Sequence, residues 1–173
     1  MQHTRFLDGL EARVTRGAVG GVVAGLVFLL ANMAYATSQD LPAVAPMLDI
    51  ATIFNLTDEP VVSPENIVVG LVTHLTLSAL FGIAFGLLVP ALRGPRAVLL
   101  GAVGFGVALY LINFQVLGRL FFEWFQEGPN QLFELLIHAA YGLLLVPFFA
   151  SALALGTARQ PSASALKPTQ ART

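Results

Sequence analysis

The sequence predicts an all-α integral membrane protein built as a four-helix bundle. Four stretches are long and apolar enough to cross a bilayer, at about residues 17–37, 67–92, 97–118 and 132–155. A crossing helix needs about 20 mostly apolar residues, because every backbone amide must be bonded without water. Only 11% of the 173 residues are charged, whereas soluble domains have about 25%. We therefore expect one transmembrane domain, over residues 1–156, in contact with a lipid bilayer.

The composition excludes several functions. The formal net charge is −1, so no basic excess neutralises phosphates and we expect no nucleic-acid partner. The chain has no cysteine, which excludes disulfides, thiolate metal sites, iron–sulfur clusters and covalently attached haem. The sequence also lacks a catalytic triad, a phosphate-binding loop and a zinc-protease motif. It therefore favours a protein that is not an enzyme.

The basic residues predict the orientation of the helices, because Lys and Arg in short loops stay on the cytoplasmic side of a membrane. Only Arg119 falls on the opposite side from the others. The others are Arg5, Arg13, Arg16, Arg93, Arg96, Arg159, Lys167 and Arg172. We therefore expect both termini in the cytoplasm, the loop of residues 38–66 outside, and a multi-pass protein of a bacterial inner membrane.

The outer loop of residues 38–66 is long enough to contain its own structure. Apolar residues surround Asp49, Thr52 and Asn55, which recur at a spacing of three. This pattern predicts a short amphipathic helix on the outer membrane surface. A lid over a site beneath it is the alternative.

Both ends of the chain carry separate predictions. The triplet Ala34-Tyr35-Ala36 follows an apolar run, as in a signal peptide with its cleavage site. The run is long for a signal peptide, so we expect the first helix to be retained. Residues 157–173 are rich in Ala, Ser, Pro, Thr and Gln, which predicts a disordered cytoplasmic tail.

The two halves of the chain resemble each other. The motif Gly-Ala-Val-Gly occurs at residues 17–20 and again at 101–104. The first and third spans each carry an Asn near the outer end. The second and fourth each carry a His followed four residues later by a small residue, Ser78 or Gly142. These matches predict a parallel repeat of two plus two helices about an axis along the membrane normal.

Four polar side chains share one predicted depth in the bundle. At 1.5 Å per residue, Asn32, His74, Asn113 and His138 each lie within about 7–10 Å of the outer end of their helix. Glu134 precedes His138 by four residues and so lies on the same helix face. Ionisable residues at membrane depth are costly unless they face the bundle interior, and they are candidates for function. In an up-down bundle the second and fourth helices are diagonal neighbours, so the two histidines would face each other.

Two cofactors would suit this polar layer. The first is a metal ion held by His74, His138, Glu134, Asn113 and Asn32, because imidazole and oxygen ligands bind transition metals and a nearby carboxylate orients a ligating histidine. The second is haem b, held by the two histidines, with Arg119 placed to meet the haem propionates at the outer interface.

Two interpretations need no cofactor. The His and Asn side chains would then only bond neighbouring helices, as in a structural or accessory membrane subunit, or they would form a pathway for protons or a small solute. A membrane-protein partner or a homo-oligomer is consistent with each interpretation.

The polar residues of the last three spans also carry a family resemblance. Thr73-His74 with Ser78, Ile112-Asn113-Phe114 with Gly118, and Glu134 four residues before His138 resemble the YagU-type bacterial inner-membrane proteins over about residues 67–145. That family has no characterised biochemical function. The resemblance implies a four-helix inner-membrane protein, with His74, His138 and Glu134 as shared positions, and it implies no reaction.

Overall fold

The structure is a computed structural model that describes residues 2–55, 59–122, 125 and 128–150. It is all-α, as predicted, and contains four helices long and apolar enough to cross a membrane. These are Gly9–Ser38, Pro64–Ala91, Pro95–Phe121 and Gln131–Phe149. The predicted tail of residues 157–173, the last residues of the predicted fourth span and part of the aromatic stretch around Trp124 lie outside the described residues.

The helices are named in chain order. They are α1 (Gln2–Ser38), α2 (Ala45–Asn55), α3 (Pro64–Leu88), α4 (Pro95–Tyr110) and α5 (Gln131–Leu145). Short 3₁₀ turns extend α3 through Val89–Ala91 and α5 through Val146–Phe149. A π-helical stretch, Leu111–Gly118, and a final turn, Arg119–Phe121, extend α4.

Local sequence signals account for the helix ends. The Ser63 side chain accepts a hydrogen bond from the Asn66 amide, with Pro64 as the first helical residue of α3. The Asn130 side chain accepts from the Phe133 amide at 3.0 Å and caps α5. The turn from α3 to α4 passes through Gly94 at φ 88°, a conformation that glycine adopts without steric cost.

Small residues allow the helices to pack closely in two pairs. In the first pair, a Cβ at Gly21 of α1 would collide with the backbone of Ser78 of α3. In the second, a Cβ at Gly142 of α5 would collide with the backbone of Ala102 of α4, and one at Gly106 with the backbone of His138. Glycines thus allow the backbones of each pair to approach closely, as small residues do in other membrane helix bundles.

This packing changes the register of the internal repeat. Gly25 lies beside His74 in the first pair, and Gly106 lies beside His138 in the second. Asn32 follows Gly25 by seven residues, and Asn113 follows Gly106 by the same distance. When the two Gly-Ala-Val-Gly motifs are aligned, Asn32 lies 15 residues after Gly17 but Asn113 lies only 12 residues after Gly101. Aligning Gly25 with Gly106 removes this difference of three residues. The sequence motifs align Gly17 with Gly101, whereas the helix contacts align Gly25 with Gly106.

The helices form an open arrangement. Helix α1 packs against both α3 and α5, and α5 packs against α4, whereas α3 and α4 are not a closely packed pair. The second and fourth spans are not closely packed either, which is consistent with the predicted diagonal placement. They are joined by a hydrogen bond from the Tyr141 hydroxyl to the Ser78 carbonyl at 2.6 Å. On the side between α3 and α4, the rings of Phe85 and Phe105 are in contact with their centroids 5.4 Å apart.

The predicted loop helix is present as α2, but it lies against the bundle. Met47, Leu48, Ala51 and Thr52 are its buried residues, and α2 packs mainly on α3. A Cβ at Gly70 of α3 would collide with the Met47 carbonyl, so this close contact requires the glycine. Helix α2 thus covers one end of the bundle, which we name the loop end, as in the lid alternative.

Candidate functional site

A cavity of about 1170 Å³ lies at the loop end and is lined by α2 and all four spans. Five of the six predicted site residues line it: Asn32, His74, Asn113, Glu134 and His138. Most of the other lining residues are apolar or aromatic. The sequence placed these five side chains in one layer, and the structure brings them to one cavity. Their role as ligands of a cofactor stays a prediction.

A hydrogen bond from His74 joins α3 to α1. Its Nε2 lies 2.8 Å from the Gly25 carbonyl oxygen, and the ring is buried. Because a carbonyl oxygen only accepts, Nε2 carries the hydrogen and donates it. This contact is the interhelical bond that the structural interpretation expects.

His138 makes a different contact. Its Nδ1 lies 2.7 Å from the backbone carbonyl of Glu134, one turn earlier in α5, and 3.6 Å from Oε2 of the same residue. Nδ1 therefore donates to the carbonyl, and the neutral ring has an acceptor at Nε2. No described residue pairs with this Nε2. The carboxylate of Glu134 approaches the imidazole, as predicted, but the backbone oxygen makes the hydrogen bond.

Phe28 lies between the two histidines. Its ring stacks on His74 with the centroids 5.6 Å apart, and its ring meets that of His138 edge-on at 4.8 Å. A metal or haem iron shared by the two rings would have to occupy the region that Phe28 fills. Among the described residues, moreover, no three His, Asp or Glu side chains form a group that could hold a metal ion. The arrangement as it stands therefore does not fit either cofactor between His74 and His138.

The remaining predicted residues of the layer differ in their bonding. Asn32 donates from Nδ2 to the Phe28 carbonyl at 3.2 Å, within its own helix. The Asn113 amide and the Glu134 carboxylate make no hydrogen bond to any residue in the described ranges. Asn113 lies in the π-helical stretch of α4, a distortion that is frequent at functional sites.

Arg119 belongs to a separate network at the end of α4. Its Nη2 donates to Gln115 Oε1 at 2.7 Å, and Gln115 donates to the Tyr110 hydroxyl at 2.8 Å. Tyr110 in turn donates to Gln131 Oε1 at 2.9 Å, which joins α4 to the start of α5. Arg119 is not among the described residues that line the cavity. Its predicted contact with haem propionates therefore finds no support in its position.

Asp49 of α2 is a cavity residue that the sequence analysis did not identify as part of the site. Burial raises the pKa of its carboxyl from 3.8 to about 6, because the charged form loses solvation. The sequence placed Asp49 on the polar face of a helix on the membrane surface. The predicted helix is present, but Asp49 lines the cavity because α2 packs on α3.

Comparisons with known proteins identify no relative. No family model, curated protein or solved structure matches the chain. The resemblance to YagU-type proteins is neither supported nor contradicted by this result and stays a prediction.

Proposed function

We propose that this membrane protein binds a small amphipathic molecule in the cavity at the loop end. Ligand sites are typically concave, about 300–1,000 Å³ in volume, and mostly apolar, with a few polar groups that orient the ligand. The cavity, at about 1170 Å³, is slightly larger than this range and of the same kind. It combines an apolar and aromatic wall with a small set of polar side chains.

One observation carries this proposal. Asn113, Glu134 and His138 all line the cavity, and each has a polar group that no described residue bonds. Glu134 and His138 are only 6% and 7% exposed. These groups open into the cavity rather than into closed packing, since the sole fully buried side-chain polar atom without a partner among the described residues is Arg13 Nε. A polar group that is left unbonded at membrane depth, facing mostly apolar surroundings, is costly. A ligand that bonds these three groups would offset that cost.

The chemistry of the groups limits what the ligand presents to them. His138 offers an acceptor at Nε2 and Glu134 offers carboxylate acceptors, while the Asn113 amide both donates and accepts. The bound part of the molecule would therefore carry at least one hydrogen-bond donor. Its apolar part would contact the surrounding leucine, isoleucine and phenylalanine side chains.

The test is to identify molecules that the protein retains. The protein would be purified in a mild detergent and analysed by native mass spectrometry, and extracted small molecules would be identified separately. We expect a retained molecule that Glu134→Gln and Asn113→Leu each reduce. Glu65→Gln is the matched control, because Glu65 is exposed and lies outside the described cavity lining. Equal retention by Glu134→Gln, Asn113→Leu and Glu65→Gln would contradict the proposal.

Metal or haem binding is the second candidate. Its support is the acceptor Nε2 of His138, with the Glu134 carboxylate 3.6 Å from the other ring nitrogen, an arrangement typical of a ligating histidine with its orienting carboxylate. Binding by both histidines would require Phe28 to leave the space between them. Elemental analysis and absorption spectra after reconstitution with zinc or haem would test this candidate. The candidate would be contradicted if neither the wild type nor Phe28→Ala bound zinc or haem.

We also propose that the loop end faces away from the cytoplasm. Arg13, Arg16, Arg93 and Arg96 lie toward the opposite end of the spans, where the positive-inside rule places the cytoplasm. The cavity would then face the outer side of a bacterial inner membrane. A protein partner or homo-oligomer stays a prediction.

A further inference from the structure

The charge of the cavity narrows the chemical class of its ligand. Two acidic residues, Asp49 and Glu134, line it, and no Lys or Arg occurs among the described lining residues. Both histidines donate a ring hydrogen to a backbone carbonyl, which a neutral imidazole does as well as a charged one. An anionic head group in this cavity would therefore meet two carboxylates and no Lys or Arg among the described lining residues.

Aromatic rings add to this preference. Phe28, Phe114 and Tyr141 line the same cavity as Glu134, and the rings of Phe28 and Phe114 both contact His138 edge-on. The face of an aromatic ring attracts a cation within about 6 Å. Carboxylates together with aromatic faces are therefore suited to a positively charged head group.

The side of the bundle between α3 and α4 indicates where the apolar tail of a ligand would lie. Helices α3 and α4 are not closely packed against each other, and each contributes a partly exposed apolar residue to the cavity lining. Leu77 of α3 is 36% exposed and Ile112 of α4 is 50% exposed. Because both helices cross the membrane, the space between them faces lipid, and an alkyl chain placed there would contact apolar surface on both sides.

We propose that the ligand is an amphipathic amine, with its protonated head at Glu134 and Asp49 and its alkyl chain between α3 and α4. This inference rests on the proposed function and specifies its ligand. The ammonium group supplies the hydrogen-bond donors that the unpaired acceptors of Glu134 and His138 lack. Its charge would also balance the two carboxylates, which have no Lys or Arg beside them among the described lining residues.

The test compares three probes with the same alkyl chain: octylamine, octanol and octanoate. Binding to the protein in lipid nanodiscs would be measured by native mass spectrometry. We expect octylamine to bind at least about tenfold more tightly than octanoate, because opposite charges attract strongly in a partly buried site. Octanol, which has the same chain without the charge, should lie between them.

Matched variants locate the binding. Glu134→Gln and Asp49→Asn should each weaken octylamine binding several-fold and leave octanol binding nearly unchanged, whereas Glu65→Gln should alter neither. Ile112→Trp should weaken all three probes by filling the space between α3 and α4. The matched control is Val116→Trp on the same helix, because Val116 is 49% exposed and is not one of the described lining residues.

The outcomes separate this inference from the proposed function. If octanol or octanoate binds best and Ile112→Trp weakens it, the cavity binds amphipathic molecules but the amine assignment is wrong. If octylamine binds best but neither acidic variant weakens it, the placement of the head group is wrong. If none of the probes binds to the wild type, the proposed function fails together with the inference.

Discussion

Replacement of Gly106 by alanine tests whether the close pairing of α4 and α5 positions His138. A Cβ at Gly106 would lie 2.8 Å from the backbone carbonyl carbon of His138 and 2.9 Å from the Ala139 Cα. Carbon atoms in contact prefer about 3.5–4.0 Å, so the two helices would have to separate by about 1 Å. Overpacking of this kind typically costs about 1–3 kcal/mol. The movement would also displace the Nε2 acceptor of His138 from the cavity.

Gly104 provides a control on the same helix. A Cβ at Gly104 meets nothing within 4 Å, so Gly104→Ala should gain up to about 1 kcal/mol from the higher helix propensity of alanine. Unfolding in a mixed detergent series, followed by circular dichroism, would measure both variants. We expect Gly106→Ala to unfold at a lower denaturing-detergent fraction than the wild type, and Gly104→Ala at an equal or higher fraction. Equal stability of the two variants would refute the packing argument.

Three further predictions concern charge, topology and the first helix. Octylamine stays protonated below pH 7, so its binding should be strong above pH 6 and weaken as the pH falls through about 6, where Asp49 gains its proton. Glu134, His74 and His138 also line the cavity. To isolate the contribution of Asp49, binding would be measured against pH for Asp49→Asn, which should lack this step. Cysteine in place of Asp40 should react with an impermeant reagent in intact cells, and cysteine in place of Arg96 should not; the reverse pattern would overturn the proposed orientation. Mass spectrometry of the purified chain should find the α1 segment intact, and a mature N-terminus near Thr37 would contradict its retention.

The sequence predicted the helices well because their signals are local. Pro64 and Pro95 begin α3 and α4, within three residues of the predicted starts at about 67 and 97. Helix α5 begins at Gln131, directly after its cap Asn130 and next to the predicted start at about 132. Helix α1 begins well before residue 17, since the polar residues ahead of the apolar stretch are also compatible with a helix. Apolar length predicts where a helix crosses a membrane and does not predict where the helix itself begins.

The contacts within the site could not be predicted in the same way. Spans that are apolar on all sides give little indication of which face meets which neighbour. Depth along each helix correctly grouped His74 and His138, but the rotation of α1 that inserts Phe28 between their rings depends on the packing of Gly21 and Gly25. Asp49 was missed for a related reason. Its position depends on the contact of α2 with α3, which the local pattern within α2 does not indicate.

The attachment of α2 to α3 has a consequence for how the cavity changes shape. The two helices touch where Gly70 meets the Met47 carbonyl, and the Asn55 side chain donates to Asn66 Oδ1 at 3.0 Å near the other end of α2. Held at two separated points, α2 and α3 would move as one rigid unit. One motion open to this unit is a hinge-like swing away from α4, because α3 and α4 are not closely packed. Helix α1 would move with α3, since the two are closely packed, and the hydrogen bond from the Tyr141 hydroxyl to the Ser78 carbonyl would break. Such a swing would widen the cavity toward the lipid while α4 and α5 remain in place.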